Sequence, residues 1–430
     1  MKKGVGTIAA DDFARGKVPE ENTTTGLHLA LIIVGGTIGF AIFVIAYQIG
    51  GSLGYGGSAI AFSVGSLILG VMGAITSYVG ARTRFSTYLL TEFSFGTEGA
   101  KIANLAVALS LIGWFGVISN TLGQATQQMI FEAFGHPVSP YLTVSVASFL
   151  MVTVTALGFS GIDKLALYLV PLMAAFIVFA AFLALSRGGV SVHHVDTVFT
   201  YQTAISAVVG SYISGVIIQP DYSRFAINTR HAIWSVLIAL GVIFPLVQFF
   251  SAIPGMATGQ PDVVLVMAAL GIAVPAFFLF FLGAWSSNVL CLYSSGLSIA
   301  TILERFRLQH IIIAIGIIGT AIAFIPAQDY LINYLVLLGV TIPPIGAIYI
   351  IDAFFVRRFK MSIEGIEKAS PFRISAFAAW GGAAIAGYIS SSGGIGLTTI
   401  ASLDSLIAAS LIYAALNWPT ISRNSRELKK

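Results

Sequence analysis

The sequence predicts an all-α polytopic membrane protein of twelve transmembrane helices, and three observations carry that prediction. Of its 430 residues, 57% are hydrophobic and 9% charged, with mean hydropathy +0.91, whereas soluble domains run near a quarter charged. Apolar runs long enough to cross a bilayer, about 18 residues or more, recur near 27–50, 57–80, 100–132, 139–160, 165–186, 201–219, 231–254, 272–302, 309–325, 330–356, 373–391 and 398–419. With the N-terminus inside, Arg187 is the only one of 22 Lys and Arg to fall on the outer side. That asymmetry is the one cytoplasmic loops show, and shifting the count by one span scatters it.

Residues 1–26, with Lys2, Lys3, Arg15 and Lys17, are polar and charged rather than a cleavable signal, and read as a cytoplasmic tail; 420–430 form a second. The protein is expected in a plasma or inner membrane with both termini cytoplasmic. Its partners would be the lipid bilayer and a small molecule, with no nucleic acid, and a monomer is expected to suffice. The lone Cys291 excludes a disulfide framework. HExxH and Walker A patterns are absent, which argues against an enzyme. The six histidines fall near span ends or in loops, and His193-His194 reads as a solvated outer loop.

The first span carries Gly35-Gly36-Thr37-Ile38-Gly39, then Gln48 and a glycine-rich exit from Gly50 to Gly57. Glycine costs about 1 kcal/mol per helix position relative to alanine, so the cluster favours local unwinding. Unwound backbone at membrane depth persists where it lines a cavity or is buried in protein. The third span carries Gly113-Trp114-Phe115-Gly116, followed by Ser119, Asn120, Thr121, Gln124, Gln127 and Gln128. Trp114, Thr121 and Gln128 share one helix face, which marks either a lined cavity or polar interhelical packing.

The sixth span carries a second cluster, Gly210-Ser211-Tyr212-Ile213-Ser214-Gly215. Gly36 to Gly210 and Trp114 to Trp285 are nearly equal intervals. Interrupted segments at matching places point to an inverted-repeat transporter with its site at the midplane. The first repeat is 27–186 and the second 201–356, with discontinuous helices 1 and 6 and two further helices over 373–419. No charge falls in mid-span, so a neutral substrate is expected. Backbone carbonyls and hydroxyls suffice for sodium. In the eighth span, Ser286 and Ser287 offer hydroxyls, Gly283 a carbonyl, and Asn288 both donor and acceptor for a ring edge. Trp114 and Tyr212 are candidates to stack on a planar ligand. Pro343-Pro344 is expected to kink the tenth span, and 262–271 to form a short interfacial helix.

These residues resemble the nucleobase–cation symporter family, most of all its cytosine permease branch. Similar stretches include Val79–Thr83, Glu92–Gly96, Gly113–Gly116, Val209–Ser214, Pro220–Phe225, Trp285–Asn288 and Ile342–Gly346. The resemblance implies a leucine-transporter-like five-plus-five fold and a planar base held between Trp114 and Tyr212. Asn288 would bond its edge, with Ser211 and Phe40 nearby. Sodium would sit on carbonyls of Gly36, Gly39 and Gly283 and on Ser286 and Ser287, with a proton as the alternative coupling ion.

The chain also departs from that branch. Cytosine-selective members carry glutamine where Leu111 stands, a relative uses glutamine where Ile118 stands, and Gly283 replaces an asparagine. The sixth span exits through Gln219-Pro220. Loss of an edge-reading amide shifts the expectation from cytosine toward another pyrimidine, a purine, a hydantoin (or allantoin) or a vitamin-precursor pyrimidine. The expected function is symport of a small neutral planar heterocycle. The alternative is an amino-acid or other small-solute transporter of the same fold.

Overall fold

A computed structural model describes residues 16–157, 162–188, 192, 199–260, 263–303, 305–367 and 369–427. Lys2, Lys3, Arg15, His193-His194, Lys368, Lys429, Lys430 and the side chain of Phe40 lie outside the described residues. Among the described residues the chain is helical, with one isolated parallel bridge between Thr24 and Ala226.

The first apolar run is split. Helix α1 (Gly26–Thr37) ends at Ile38 and Gly39, and α2 (Phe40–Thr83) starts beyond them. The glycine-rich stretch after the first span carries a kink. Only Gly54 departs from helical geometry, at φ 69° and ψ −178°, a positive φ that glycine adopts without steric cost. Gly54 thus separates two helical runs within α2, 40–53 and 55–83. Helix α3 (Thr87–Phe95), which the hydropathy pattern does not single out, is buried along its whole length.

Charges of the sign that suits the helix dipole fix both ends of α3. The Asp221 carboxylate accepts the Thr87 N–H at 2.8 Å. Arg357 and Arg373 donate to the Phe93 carbonyl at 2.7 and 3.0 Å. The same two guanidiniums hold the buried Asp352 carboxylate at 2.7 and 3.0 Å, and the Tyr413 hydroxyl donates to it at 2.9 Å.

Next come α4 (Thr97–Phe134), α5 (Pro140–Leu157), α6 (Ile162–Gly188) and α7 (Tyr201–Ile217). The sixth span is interrupted, but at Ile218 rather than at the glycine cluster, and it resumes as α8 (Gln219–Ser223). The glycines serve contact instead. A Cβ at Gly210 would collide with the Leu335 carbonyl, and one at Gly215 would lie 2.8 Å from the Tyr212 ring. The break follows from Pro220, which has no N–H for the carbonyl four residues back. The freed carbonyls find side chains: Val216 accepts from Thr76 at 3.0 Å, and Ile217 from Tyr349 at 3.0 Å and Thr87 at 3.4 Å.

Helix α9 (Thr229–Val236) continues through a π-helical stretch into α10 (Phe244–Thr258). The expected short helix before the eighth span is α11 (Val263–Ala269), followed by α12 (Ala273–Ala300) and α13 (Leu308–Ala323). The tenth span is cut at Ile342 into α14 (Ala327–Thr341) and α15 (Pro343–Ile351), where the prolines were expected to act. After α16 (Ile363–Glu367) come α17 (Ile374–Ser391) and α18 (Ala401–Leu416), which pack on each other, and α19 (Trp418–Glu427), turned 71° from α18.

Six described helices are long and apolar enough to cross a bilayer, or seven if the bent α18–α19 pair counts as one. Shorter apolar helices include α1, α5 and α13. Helices and spans do not correspond one to one, since α2 holds two runs joined at the Gly54 kink while Ile38-Gly39, Ile218 and Ile342 divide others.

The basic loops gather at one end of the bundle. Thr24 donates to the Phe225 carbonyl at 2.7 Å, and Arg84 donates to the Arg224 and Ala226 carbonyls at 2.8 and 2.7 Å. At the other end, Ser52 accepts from the Phe199 N–H at 2.7 Å and Arg187 donates to the Leu270 carbonyl at 2.8 Å.

Candidate substrate and ion site

Between the α1–α2 break, α4, α7 and α12 lies a cavity of about 80 Å³, several times the room one water needs. α4 contributes Leu111, Trp114 and Ile118; α7 contributes Ser211, Tyr212, Ser214 and Gly215; α12 contributes Ser287, Leu290, Cys291 and Ser294. Spacings of three, four and seven put each set on one helix face. Gly36 and Gly39 supply the wall at the first break. Sequence reasoning thus brought Trp114, Tyr212, Ser211, Gly36, Gly39 and Ser287 to one place.

Trp114 is 7% exposed and is held from behind by Tyr334, edge to face at 5.9 Å and 69°. The Tyr334 hydroxyl donates to the Ser110 carbonyl at 2.6 Å. Nothing in the sequence pattern marks Tyr334, because only the α4–α14 packing brings it to Trp114. Tyr212 donates to the Ile33 carbonyl at 3.4 Å and rests on Phe244 at 6.0 Å, so the phenol is tied to the last turns of α1. The Ser211 hydroxyl donates to the Val208 carbonyl at 2.7 Å, and Ser214 pairs with Ser110 at 2.8 Å. Each keeps accepting capacity toward the cavity.

Asn288 stands beside the cavity rather than in its wall, and its amide oxygen is buried without a partner. Its neighbour Ser287 is part of the wall. One residue along a helix is a turn of about 100°, and that rotation points Asn288 at α4 and α5. Its amide nitrogen donates to Ser119 at 2.9 Å and meets the Met151 sulfur at 3.0 Å. The polar residues following Trp114 have similar fates. Thr121 donates to its own helix at the Val117 carbonyl, Asn120 to the Ala323 carbonyl at the end of α13, and Gln128 to Glu132. They serve helix packing, as does Trp285, which rests on Phe281 at 5.5 Å.

At the first break the residues fit a hard cation. The Ser287 hydroxyl is 6% exposed and makes no hydrogen bond, an arrangement that costs about 1–3 kcal/mol unless a ligand satisfies the oxygen. A Cβ at Gly39 would stand 3.7 Å from that oxygen, and one at Gly283 would stand 3.4 Å from the Ile38 carbonyl. The ends of α1 and the start of α2 therefore meet α12 at this point. Among the described residues no side chain bonds the carbonyls of Gly36, Thr37 or Ile38. Gly283 is buried beside the break, and Ser286 is half-buried; neither lines the cavity. Phe40 opens α2 directly after the break.

A second cavity, of about 110 Å³, shares Ile218, Tyr222, Leu290 and Ser294 with the first. It continues to Asp221, Arg224 and Thr87, at the end where the basic loops gather. Burial pushes the Asp221 carboxyl up from the usual carboxylate range, against the opposing pull of Arg224 and the Thr87 N–H.

Over residues 17–412 the sequence matches the family described as permease for cytosine/purines, uracil, thiamine, allantoin. The chain belongs to this family. It is 28% identical to the cytosine permease of Escherichia coli over 360 residues, covering 81% of this chain and 82% of that one. The fold is similar to MHP1, a nucleobase-cation-symport-1 family transporter solved in a closed conformation with bromovinylhydantoin bound. The TM-score is 0.80 at 19% identity, covering 94% of this chain and 95% of that one. A Na+-coupled sialic acid symporter in an outward-open state aligns at TM-score 0.63 and 16% identity, covering 94% and 92%. The resemblance drawn from the sequence is thus met, and the chain is an integral-membrane permease with the fold expected of it.

Proposed function

We propose that this protein is a secondary active symporter that imports a small, neutral, planar nucleobase-like heterocycle by alternating access, coupled to Na+, with both termini cytoplasmic. The observation that carries this reading is a single one: the cavity between Trp114 and Tyr212 shares a wall with an unpartnered buried serine at a helix break. In this scheme the two aromatics hold the ring faces and Ser211 meets an edge. Phe40, at the start of α2, is assigned beside the ring. Carbonyls of Gly36, Gly39 and Gly283 with the hydroxyls of Ser286 and Ser287 hold the sodium ion. Binding of the ion would draw α2 and α12 together and fix the Gly36–Gly39 wall that the ring touches, so that each ligand favours the other. The second cavity, which shares Tyr222 and Leu290 with the first and reaches the basic end of the bundle, would supply the inward exit. One chain holds every one of these groups, so a monomer suffices.

The cytosine permease and hydantoin-bound relatives support a nucleobase-like substrate, and the sodium-coupled symporter of the same fold supports the ion. One observation favours a proton instead: Asp221, just past the sixth span, lines the inward cavity with its carboxyl pushed up by burial. The test is uptake of radiolabelled bases by proteoliposomes under a sodium or a proton gradient. Accumulation driven by sodium is expected, and loss of about 1–3 kcal/mol of binding in Trp114→Ala as the stacking contact disappears. Accumulation driven by a proton gradient alone assigns the coupling to the proton. Tight binding of amino acids but not of bases overturns the substrate reading.

A further inference from the structure

The two long walls of the cavity differ in chemistry, and the difference bears on which ring fits. Along α4, the residues one turn before Trp114 and one turn after it are Leu111 and Ile118, and both line the cavity. Along α7 and α12 the polar groups are hydroxyls: Ser211, Ser214, Ser287 and Ser294. Among the described residues lining this cavity there is no amide and no charged side chain. A hydroxyl can donate or accept by rotating, so it tolerates a ring carbonyl or a ring amine alike. An amide presents both functions in fixed positions and can reject the wrong edge. Polar readout in this cavity is therefore permissive, and discrimination passes to the apolar wall.

A pyrimidinedione has the matching asymmetry. Its N1–H, C2=O, N3–H and C4=O occupy one side of the ring, and C5 and C6 the other. An alkyl group on C5 would enter the space beside Leu111 or Ile118 and leave water for an apolar contact.

We infer that the slot selects heterocycles with a small apolar substituent on the carbon edge, of the 5-alkyl-pyrimidinedione class, and that Leu111 and Ile118 set this preference. The inference rests on the base-binding role proposed for Trp114 and Tyr212. Each buried methyl or methylene adds about 0.8 kcal/mol, a factor of about four in affinity. The cavity's size limits the substituent to a few atoms, so the gain ends after a short chain.

The experiment is competition binding of uracil, thymine and 5-ethyluracil to the purified full-length protein in detergent with saturating sodium. Thymine is expected to bind about fourfold more tightly than uracil, and 5-ethyluracil at least as tightly as thymine. Leu111→Gln or Ile118→Ser should flatten the series, removing most of the advantage of thymine and 5-ethyluracil over uracil. The wild-type series decides the matter by itself if either variant is poorly folded. Equal affinities, or a preference for uracil, overturn the selectivity and leave the base-binding role standing. If none of the three binds, this inference is overturned; if radiolabelled cytosine, adenine and hydantoin also fail to bind, the base-binding role falls with it.

Discussion

Two helix breaks face the same cavity and are built in opposite ways. At Ile218 the interruption is sealed: Thr76, Tyr349 and Thr87 donate to the carbonyls that Pro220 frees. At Ile38-Gly39 no described side chain closes the carbonyls of Gly36 to Ile38, and the Ser287 hydroxyl beside Gly39 has no partner of its own. The last carbonyls of any helix lack donors within it, and a buried one without a partner is costly. A break whose carbonyls are satisfied by fixed side chains is a structural hinge. One left open beside an unpartnered hydroxyl is where the proposed cation would bind.

Substitutions can break or sharpen this contrast. The largest effect is expected at Gly210, where a Cβ meets the Leu335 carbonyl. Backbone on backbone leaves no soft side to yield, so Gly210→Ala should cost upwards of about 3 kcal/mol. It should lower the melting temperature in detergent sharply or deplete folded protein; a normal melting temperature would show that Gly210 does not serve close packing. Thr76→Ala removes the donor to Val216 and should cost about 1–3 kcal/mol. It should melt earlier while its sodium requirement for binding stays as in wild type. A changed sodium requirement would mean the sixth-helix break belongs to the ion site after all. The smallest change in stability is expected for Gly36→Ala, whose new Cβ lies 3.2 Å from the Tyr212 hydroxyl, the far end of a side chain. Its stability should stay within about 1 kcal/mol of wild type, with ligand affinity reduced because that wall has moved; unchanged affinity would place the ring elsewhere.

Much of this arrangement was legible in the sequence. Composition and the one-sided basic residues give the membrane class, and the motifs around Trp114, Tyr212 and Ser287 give the family and most of the cavity. The parts that were not legible share a physical cause. A glycine in a helix reads the same whether it permits unwinding, as near Gly39, or close contact, as at Gly210. Only the partner opposite decides between them. Asn288 and Ser287 are neighbours in sequence and point about 100° apart, so the assignment of one to the cavity said nothing of the other. The turn between the first two spans rests on a single positive-φ residue, Gly54, within the glycine-rich exit. Helix α3 went unseen because nine buried residues are too short a run for a hydropathy window, and its ends are fixed by charges from distant segments.

The central claim is that the open break holds the coupling cation, and sodium titration of base binding tests it most directly. Wild type should require sodium. Ser287→Ala should need about tenfold to a hundredfold more of it, as expected for losing one oxygen bonded to a charge, about 1.5–3 kcal/mol, while remaining folded. Base binding that is indifferent to sodium in wild type, or a Ser287→Ala titration that overlays it, would contradict the account.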